Sequence, residues 1–403
     1  MIESLKRESS ISVVLDVIRR YGPINRYEIA KMTSLSPATV TNITDRLIKA
    51  GFISETPSSI SKRGRKPINL VLSNRTYLSV GIEIDAKHIV GVIIGLNGSV
   101  TRSKRIEIEK STPEDIFKEV IALYNSLIRD LDKKRIIGLG IGIPGLIDSK
   151  NREVIFSAVL GWRDVSVDKF LKDMDISFFI EDNVRAITLG ELWYGAGIGK
   201  DNLLCIGAGR GISSGIVING CIYSGPNDRA GEFGHMVIEK DGEKCKCGNY
   251  GCLEPYVSSE TIIEKALEGI ENNAYTTFSP RDENRLFEEI IQAGKKGDKF
   301  ILNIFEEVGE YLGIGIANLI NFFNPELIIL ADELTKAEDL ILEPVKRSIR
   351  LHALPPIPDI VISKLGTLAC AVGAATLPIK ELLYSSSNHN ILPYRGGDTQ
   401  RQI

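Results

Sequence analysis

The chain has 403 residues, of which 43% are hydrophobic and 25% are charged, and its formal net charge is −3. This length suggests two or three domains, and the composition is ordinary for a globular protein, which disfavours a disordered or fibrous chain. No window has the apolar length of a membrane span, and the N-terminus does not resemble a secretory signal. We therefore expect a cytoplasmic protein with no membrane partner.

The charge is distributed unevenly along the chain. The first 70 residues carry 12 Lys and Arg against 6 Asp and Glu, and the remaining residues carry 37 against 46. A basic segment joined to an acidic body predicts a polyanionic partner for that segment alone.

Three short helices are predicted in the basic segment. Apolar residues at helical spacing form the first helix, which Gly22-Pro23 ends. Asn25 and Glu28 have the spacing of a capping box, so a second helix begins there and ends near Thr33. Ser36 as N-cap and Pro37 as first helical residue begin the third helix, which runs to Ala50.

The third helix has two contrasting faces. Val40, Ile43 and Leu47 form an apolar stripe that predicts the buried face. The outward face is then made of the small and polar residues that are typical of a helix lying in the DNA major groove, with the N-cap beside them: Ser36, Ala38, Thr39, Thr41 and Asn42.

Two strand-like segments, 52–55 and 68–72, follow and can pair as a hairpin. The loop between them has a basic, glycine-containing tip suited to phosphates or the minor groove, formed by Arg63, Gly64, Arg65 and Lys66. Residues 1–72 therefore read as a winged helix-turn-helix domain that binds double-stranded operator DNA. The alternative is a small helical bundle that binds protein.

Three of the six cysteines lie close together as Cys245, Cys247 and Cys252, with His235 ten residues upstream. Three thiolates and one imidazole at such spacings predict a tetrahedral zinc site. Four protein ligands leave no open position, so we expect one structural Zn²⁺ per chain. The alternative is a disulfide and a free thiol. The other three cysteines are expected to be buried thiols: Cys205, Cys221 and Cys370.

The segment from 231 to 254 contains the run G-E-F-G-H-M, followed by C-x-C-G-x-x-G-C-L-E. It resembles the zinc and sugar motif of the ROK family of repressors, open reading frames and sugar kinases. The resemblance continues through 160–165, 180–186, 207–215, 313–326 and 372–375. It implies that Glu232, His235 and Glu254 contact a sugar and that His235 also binds the zinc.

The resemblance implies an α/β fold, namely a two-lobed body of the actin/hexokinase (ribonuclease H-like) type with a zinc knuckle. Residues 73–190 would form the first lobe, completed by about 366–385. Residues 191–365 would form the second lobe, with the zinc motif and a helical dimerisation region, and 386–403 a flexible tail. In line with this, the Asn97-Gly98 turn, a helix over 113–131 and an apolar strand over 135–143 suggest a meander, a helix and a strand.

The chain departs from the sugar kinases of this family where they bind nucleotide. The first phosphate loop, D-x-G-G-T in the kinases, loses both glycines and contains Asp85 here. In the second loop, Arg210 and Ser213 replace a threonine and a glycine, and Ala331-Asp332 replaces a glycine pair near adenosine. The catalytic aspartate matches Asn183, which cannot accept a proton but can still bind a sugar hydroxyl. We therefore expect no ATP and no enzyme activity.

These features predict a sugar-responsive transcriptional repressor, with a carbohydrate or polyol bound by Asn183, Glu232, His235 and Glu254. Within the family, the chain resembles the repressor branch of the xylose and N-acetylglucosamine type. A homodimer would bind a pseudo-palindromic operator, and a tetramer is the alternative assembly. An active ATP-dependent sugar kinase fused to a DNA-binding module is the main alternative function. A body that responds to another protein is a third.

Overall fold

The computed structural model describes residues 9–57, 68–109, 112–282 and 285–384. At its N-terminus, three helices pack on a small antiparallel sheet of order β1-β3-β2. In β2 and β3, Ile53 pairs with Leu72 and Pro57 with Ile68. The elements are α1 (Ser9–Tyr21), β1 (Ile24–Asn25), α2 (Arg26–Thr33), α3 (Pro37–Lys49), β2 (Ile53–Pro57) and β3 (Ile68–Leu72).

The helix ends are those predicted from the cap residues. The Asn25 side chain accepts a hydrogen bond from the Glu28 backbone N–H, and Glu28 accepts one from Asn25 N–H in return. Ser36 accepts from Thr39 N–H at 3.1 Å, directly before Pro37. Two orphan donors at α2 and one at α3 are thereby satisfied. The predicted hairpin is confirmed by the pairing of β2 with β3, while its tip at residues 63–66 lies outside the described residues.

The body contains two five-stranded mixed sheets. The first has the order β11-β7-β4-β5-β6, in which β4, β5 and β6 form an antiparallel meander and β7 and β11 add in parallel. Helix α4, predicted over 113–131, covers it and is capped by Thr112. Its elements are β4 (Leu78–Ile84), β5 (His88–Gly95), β6 (Val100–Glu107), α4 (Pro113–Ile128), β7 (Ile136–Ile143) and β11 (Phe178–Asp182).

A small sheet of order β10-β9-β8 and a short helix lie between β7 and β11. They are β8 (Leu146–Asp148), β9 (Glu153–Ser157), β10 (Trp162–Ser166) and α5 (Asp168–Leu171). Helix α6 (Asn183–Tyr194) then leads from β11 to the second large sheet.

The second sheet repeats the plan of the first, with order β14-β13-β12-β15-β16. The hairpin strands β12, β13 and β14 are antiparallel, and β15 and β16 add in parallel. Helices α8 to α11 pack around a second apolar core on this sheet. The elements are β12 (Leu203–Ala208), β13 (Ile212–Ile218), β14 (Cys221–Tyr223), α7 (Glu254–Val257), α8 (Ser259–Glu271), α9 (Leu286–Lys295), α10 (Lys299–Phe323), β15 (Leu327–Ala331), α11 (Glu338–His352) and β16 (Asp359–Ile362).

The last described helix, α12 (Ala369–Tyr384), returns to the first sheet. It approaches β4 and β7 so closely that a Cβ added at Gly81 or Gly140 would overlap the carbonyl oxygen of Ala371 or Ala374. The window 366–383 is long and apolar enough to span a membrane, contrary to the sequence expectation. It is 61% buried inside the protein, as is usual for a core helix. The predicted tail, 386–403, lies outside the described residues.

Candidate functional site

Four metal-ligand side chains converge next to the second sheet. His235 Nδ1 lies 3.6 Å from Cys245 Sγ, and Cys247 Sγ lies 3.8 Å from Cys252 Sγ. One ligand atom from each residue lies within 4.8 Å of all the others. Zinc bonds of about 2.3 Å to sulfur and about 2.0 Å to nitrogen place tetrahedral ligands roughly 3.5–3.8 Å apart. The His235–Cys245 and Cys247–Cys252 separations therefore fit one tetrahedral ion, and the group can hold a metal.

The backbone of the knuckle brings the cysteines together. Cys245 N–H donates to Asn249 O at 2.8 Å, and Gly248 N–H donates back to Cys245 O at 2.9 Å. Gly248 and Gly251 have φ of +98° and +73°, in the region that favours glycine. A Cβ at Gly251 would also overlap the backbone oxygen of Glu239, so the turn requires glycine there.

His235 faces two groups at once. Its Nδ1 points to the cysteines, while its Nε2 lies 3.9 Å from Glu232 Oε2. The intervening Phe233 is 3% exposed and packs against α10 at Gly315. The buried Phe233 ring fixes the turn, and Glu232 remains exposed beside the metal-ligand group.

Glu254 is the first residue of α7 and is half-buried. Its Oε2 accepts a hydrogen bond from the backbone N–H of Ile212 at 3.0 Å. That bond ties the end of the cysteine motif to the glycine-rich loop before β13, 42 residues away. Gly234, which lies between Glu232 and His235 in the chain, also packs against Ile212. Glu232, His235 and Glu254 therefore all lie close to Ile212.

Asn183 begins α6 at the end of the first sheet. Its Nδ2 donates to Ile84 O at 3.3 Å, while its Oδ1 is buried without a partner among the described residues. Asp182 caps the helix by accepting from the backbone N–H groups of Val184 and Arg185. Burial raises the pKa of Asp182 to about 6, Arg185 opposes that rise, and Glu232 adds to it. The effect of Glu232 on Asp182 indicates that the start of α6 and the turn beside the metal-ligand group are close enough to interact electrostatically.

The first phosphate-type loop is a tight turn closed on itself. Asp85 N–H donates to His88 O at 2.9 Å, and Asp85 Oδ1 accepts from Lys87 N–H at 3.3 Å. His88 Nδ1 lies 3.7 Å from the same carboxylate oxygen, a neighbour that the sequence did not suggest. The backbone N–H of Lys87 in this loop is thus already occupied by a carboxylate.

The second loop is also bordered by carboxylates. The oxygens of Asp332 lie 3.0–3.2 Å from the position of a Cβ built on Gly209, and Glu254 occupies the Ile212 N–H. Asp332 has φ 73° and ψ −162°, a conformation essentially confined to glycine. The carboxylate of Asp332 therefore lies beside this loop, and the backbone of Asp332 is strained.

The same carboxylates perturb one another. Burial, followed by Asp332 and Asp85, raises the pKa of Glu83 to about 8. Desolvation of its carboxyl group, followed by Glu333 and Asp85, raises the pKa of Asp332 to about 6, although the residue as a whole is exposed. These mutual effects indicate that Glu83, Asp85 and Asp332 lie near one another, at the loops that the family resemblance matches to the nucleotide-binding loops of the kinases.

The predicted DNA-contact residues of α3 share one exposed surface. Val40, Ile43 and Leu47 are buried as predicted. The N-cap and the outward residues are all exposed, namely Ser36, Ala38, Thr39, Thr41 and Asn42. The other four predicted contacts, Arg63, Gly64, Arg65 and Lys66, lie outside the described residues.

Two features differ from, or were missed by, the sequence expectation. Cys221 is exposed on the edge strand β14, whereas Cys205 and Cys370 are buried as predicted. Arg185 is 5% exposed, with Nε donating to Glu181 at 2.7 Å and Nη1 to Asp228 O at 2.9 Å. The sequence signal that could have identified Arg185 is its position in the first turn of α6, four residues after Glu181.

Comparison with known proteins identifies the body. The ROK family model matches residues 79–381, which is most of the chain. The chain belongs to the ROK family. A MarR family model matches residues 12–64, so the N-terminal module of this ROK protein has a helix-turn-helix of that type.

The similar proteins include named repressors that match nearly end to end. The xylose repressor of Bacillus spizizenii is 29% identical over 377 residues, covering 92% of this chain and 95% of the repressor. The N-acetylglucosamine repressor of Escherichia coli O6:H1 is 29% identical over 356 residues, covering 87% and 86%.

Solved structures support the same architecture. The crystal structure of a ROK family transcriptional regulator, a homologue of the E. coli MLC protein, superposes with a TM-score of 0.78 at 27% identity, covering 95% of this chain and 97% of that one. A ROK glucokinase from Streptomyces griseus, in complex with glucose and AMPPNP, has a TM-score of 0.66 at 26% identity and covers 74% of this chain and 98% of its own. The predicted fold is thereby confirmed.

Proposed function

We propose that this ROK protein is a sugar-responsive transcriptional repressor that binds operator DNA and senses a carbohydrate or polyol in the cleft between its lobes. The observation that carries the proposal is that one chain combines two features. One is the exposed surface of α3, and the other is the four-ligand group whose His235 lies beside the carboxylates of Glu232 and Glu254. Repressors similar over about nine-tenths of the chain support it. The operator and the inducing sugar are the partners of a cytoplasmic protein.

In this proposal one Zn²⁺ per chain has a structural role. His235, Cys245, Cys247 and Cys252 would hold it, and closure of all four positions by protein leaves none for substrate. The metal would fix the turn that presents Glu232 and the Nε2 of His235. Orientation of a ligating imidazole by its other nitrogen is a general property of such sites.

The sugar would be bound by Asn183 from the first lobe and by Glu232, His235 and Glu254 from the second. The buried, unpartnered Oδ1 of Asn183 is suited to accept a hydrogen bond from a hydroxyl. A sugar that contacts both walls favours a closed arrangement of the lobes, taken here as 73–190 with about 366–385, and 191–365. Such a ligand acts only through its differential affinity for two states, and a coupling of about 1–3 kcal/mol shifts operator affinity roughly 5- to 150-fold.

We further propose that the body has no kinase activity. Asn183 cannot take the proton of a sugar hydroxyl, and carboxylates occupy both loops that would hold phosphate. A dimer, formed through the helical part of the second lobe, would present two copies of α3 to a pseudo-palindrome. The glucokinase-like architecture makes an active kinase fused to a DNA-binding module the alternative.

A thermal-shift screen of the zinc-loaded full-length protein tests the proposal. The ligands are xylose, glucose, N-acetylglucosamine, polyols, sugar phosphates and ATP with Mg²⁺, because a ligand bound only by the folded state raises the melting temperature. We expect stabilisation by an unphosphorylated sugar and none by ATP. ATP turnover with a sugar would establish the kinase instead, and no response to any sugar would favour a protein effector.

A further inference from the structure

Helix α6 runs from the sugar site to the DNA-binding module. Its first residue is Asn183, and its last two are Trp193 and Tyr194. Twelve residues at about 1.5 Å each make a rod roughly 18 Å long. One continuous helix therefore begins in the candidate sugar site and ends where α1 docks.

The far end of α6 carries the contact with α1. The guanidinium of Arg19 lies over the Trp193 ring, 4.5 Å from its centroid, and Asp16 pairs with Arg19 at 2.7 Å. Trp193 is 5% exposed. The strength of a desolvated cation–π contact of this kind depends on the position of the cation over the face of the ring.

Two further contacts dock α1 on the same junction. Arg20 Nη1 donates to Asp201 Oδ1 at 2.7 Å, in the loop before β12. Ser12 Oγ donates to Leu383 O at 3.3 Å, near the end of α12. Helix α1 thus rests on the ends of both α6 and α12.

Helices α6 and α12 cross with their backbones in contact. A Cβ at Gly373 would overlap the carbonyl oxygen of Ala186, and one at Gly190 would lie 3.1 Å from Ala369 O. Glu191 of α6, which is fully buried, accepts from Ser363 Oγ at 2.6 Å and from Leu365 N–H at 2.9 Å. Close-packed backbones transmit displacement rather than absorb it.

The other face of α1 belongs to the core of the DNA-binding module. Val14, Leu15 and Ile18 are buried, and α1 contacts both α2 and α3. A change in the angle of α1 relative to the body therefore moves the exposed surface of α3.

We propose that Arg19 and Trp193 are positioning residues that couple the sugar site to the DNA-binding module through α6. The inference rests on the proposed sugar-responsive function and identifies the residues that transmit the effect of the sugar to the DNA-binding module. Binding at Asn183 displaces α6, and the Arg19–Trp193 contact passes that displacement to α1. Neither residue touches the sugar or the DNA, so their effect lies in the coupling between the two ligands.

The test measures both affinities and their linkage in the full-length, zinc-loaded protein. The DNA is a duplex selected by the wild-type protein from a random pool, and the sugar is whichever of xylose, glucose and N-acetylglucosamine raises the melting temperature. Operator Kd is measured by anisotropy with and without saturating sugar, and sugar Kd by calorimetry. The variants are Arg19→Met and Trp193→Leu, with Trp193→Phe as the conservative one. Arg152→Met is the control for loss of an arginine–ring contact elsewhere, because Arg152 lies over the Phe178 ring and pairs with Asp168 within the first lobe.

We expect Arg19→Met and Trp193→Leu to reduce the sugar-induced change in operator Kd from at least about fivefold to less than about twofold. Each separate Kd should change by less than about threefold, and Trp193→Phe and Arg152→Met should keep the wild-type response. Variants that keep the full response would overturn the inference. A wild-type protein without any sugar response would overturn the proposed function itself, so the two failures are distinguishable.

A second measurement does not depend on DNA. The chain has two tryptophans, so Trp162→Phe leaves Trp193 as the single indole. We expect the same sugar to shift or quench Trp193 emission with the Kd found by calorimetry. Unchanged emission at saturating sugar would contradict displacement of α6.

Discussion

The metal side and the phosphate side of the candidate site have opposite characters. On the metal side, a turn with two positive-φ glycines brings four donors together, and the carboxylates beside them face the cleft. On the phosphate side, Asp85 and Asp332 place carboxylates at the loops that the family resemblance matches to nucleotide-binding loops. In the proposed function, the fold keeps the sugar-binding side while carboxylates fill the phosphate side. The first depends on four donors brought together by a short turn, whereas the second needs only a carboxylate in place of a glycine.

The largest effect is expected from removal of a metal ligand. Cys247→Ser should lower the zinc content from one per chain to near zero and abolish the sugar-induced thermal shift, because the turn that carries Glu232 loses its anchor. Elemental analysis and thermal shift measure the two outcomes. Cys221→Ser is the matched control, since Cys221 is exposed and away from the cluster. A zinc-free protein with normal sugar binding would show that the metal does not support this side of the cleft.

A smaller loss is expected from a single sugar contact. Glu232→Gln should weaken sugar binding about 10- to 100-fold, because a charge-assisted hydrogen bond to a hydroxyl becomes a neutral one. Calorimetry at constant zinc occupancy checks this. Glu239→Gln, at an exposed residue of the same segment, should leave the Kd unchanged. Equal effects of the two variants would argue that Glu232 does not touch the sugar.

The metal side was largely predictable from the sequence, because its ligands lie within 18 residues and their spacing encodes the geometry. The helices of the DNA-binding module were predictable for the same reason, since Asn25, Glu28 and Ser36 cap locally. The contacts of Asp332 with Gly209 and of Arg20 with Asp201 were not, because they join residues 123 and 181 positions apart. The first pair depends on the parallel pairing of β12 with β15 within the second lobe, and the second depends on how α1 docks on the body, neither of which a local pattern specifies.

Removing the two carboxylates of the phosphate side tests the contrast between that side and the metal side. The double variant Asp85→Gly, Asp332→Gly should gain weak, saturable stabilisation by ATP with Mg²⁺, because both carboxylates are gone and the backbone donors are released. At 332 the glycine also relieves a strained conformation that costs about 1–3 kcal/mol. Sugar-dependent ATP turnover should stay absent, since Asn183 remains. A folded double variant that ignores ATP would mean that other residues close this side.

The smallest effect concerns pH. The pKa of Glu83 is raised from 4.5 to about 8, so between these values the folded state keeps a proton that the unfolded state releases. The stability contribution of this group therefore falls as pH rises through that window. Glu83→Gln should melt at a higher temperature than the wild type at pH 8, by a few degrees, and the difference should shrink toward pH 5. A pH-independent difference would mean that Glu83 does not titrate there.

The position of His235, between the cysteines and Glu232, has an evolutionary consequence. In the proposed function, an imidazole that holds a metal with one nitrogen and faces the sugar with the other cannot be exchanged to suit a new inducer without losing the ion. Divergence in effector preference would then fall on Asn183, which is not one of the four metal-ligand residues. Paralogues that respond to different sugars should differ there first, while the knuckle stays invariant.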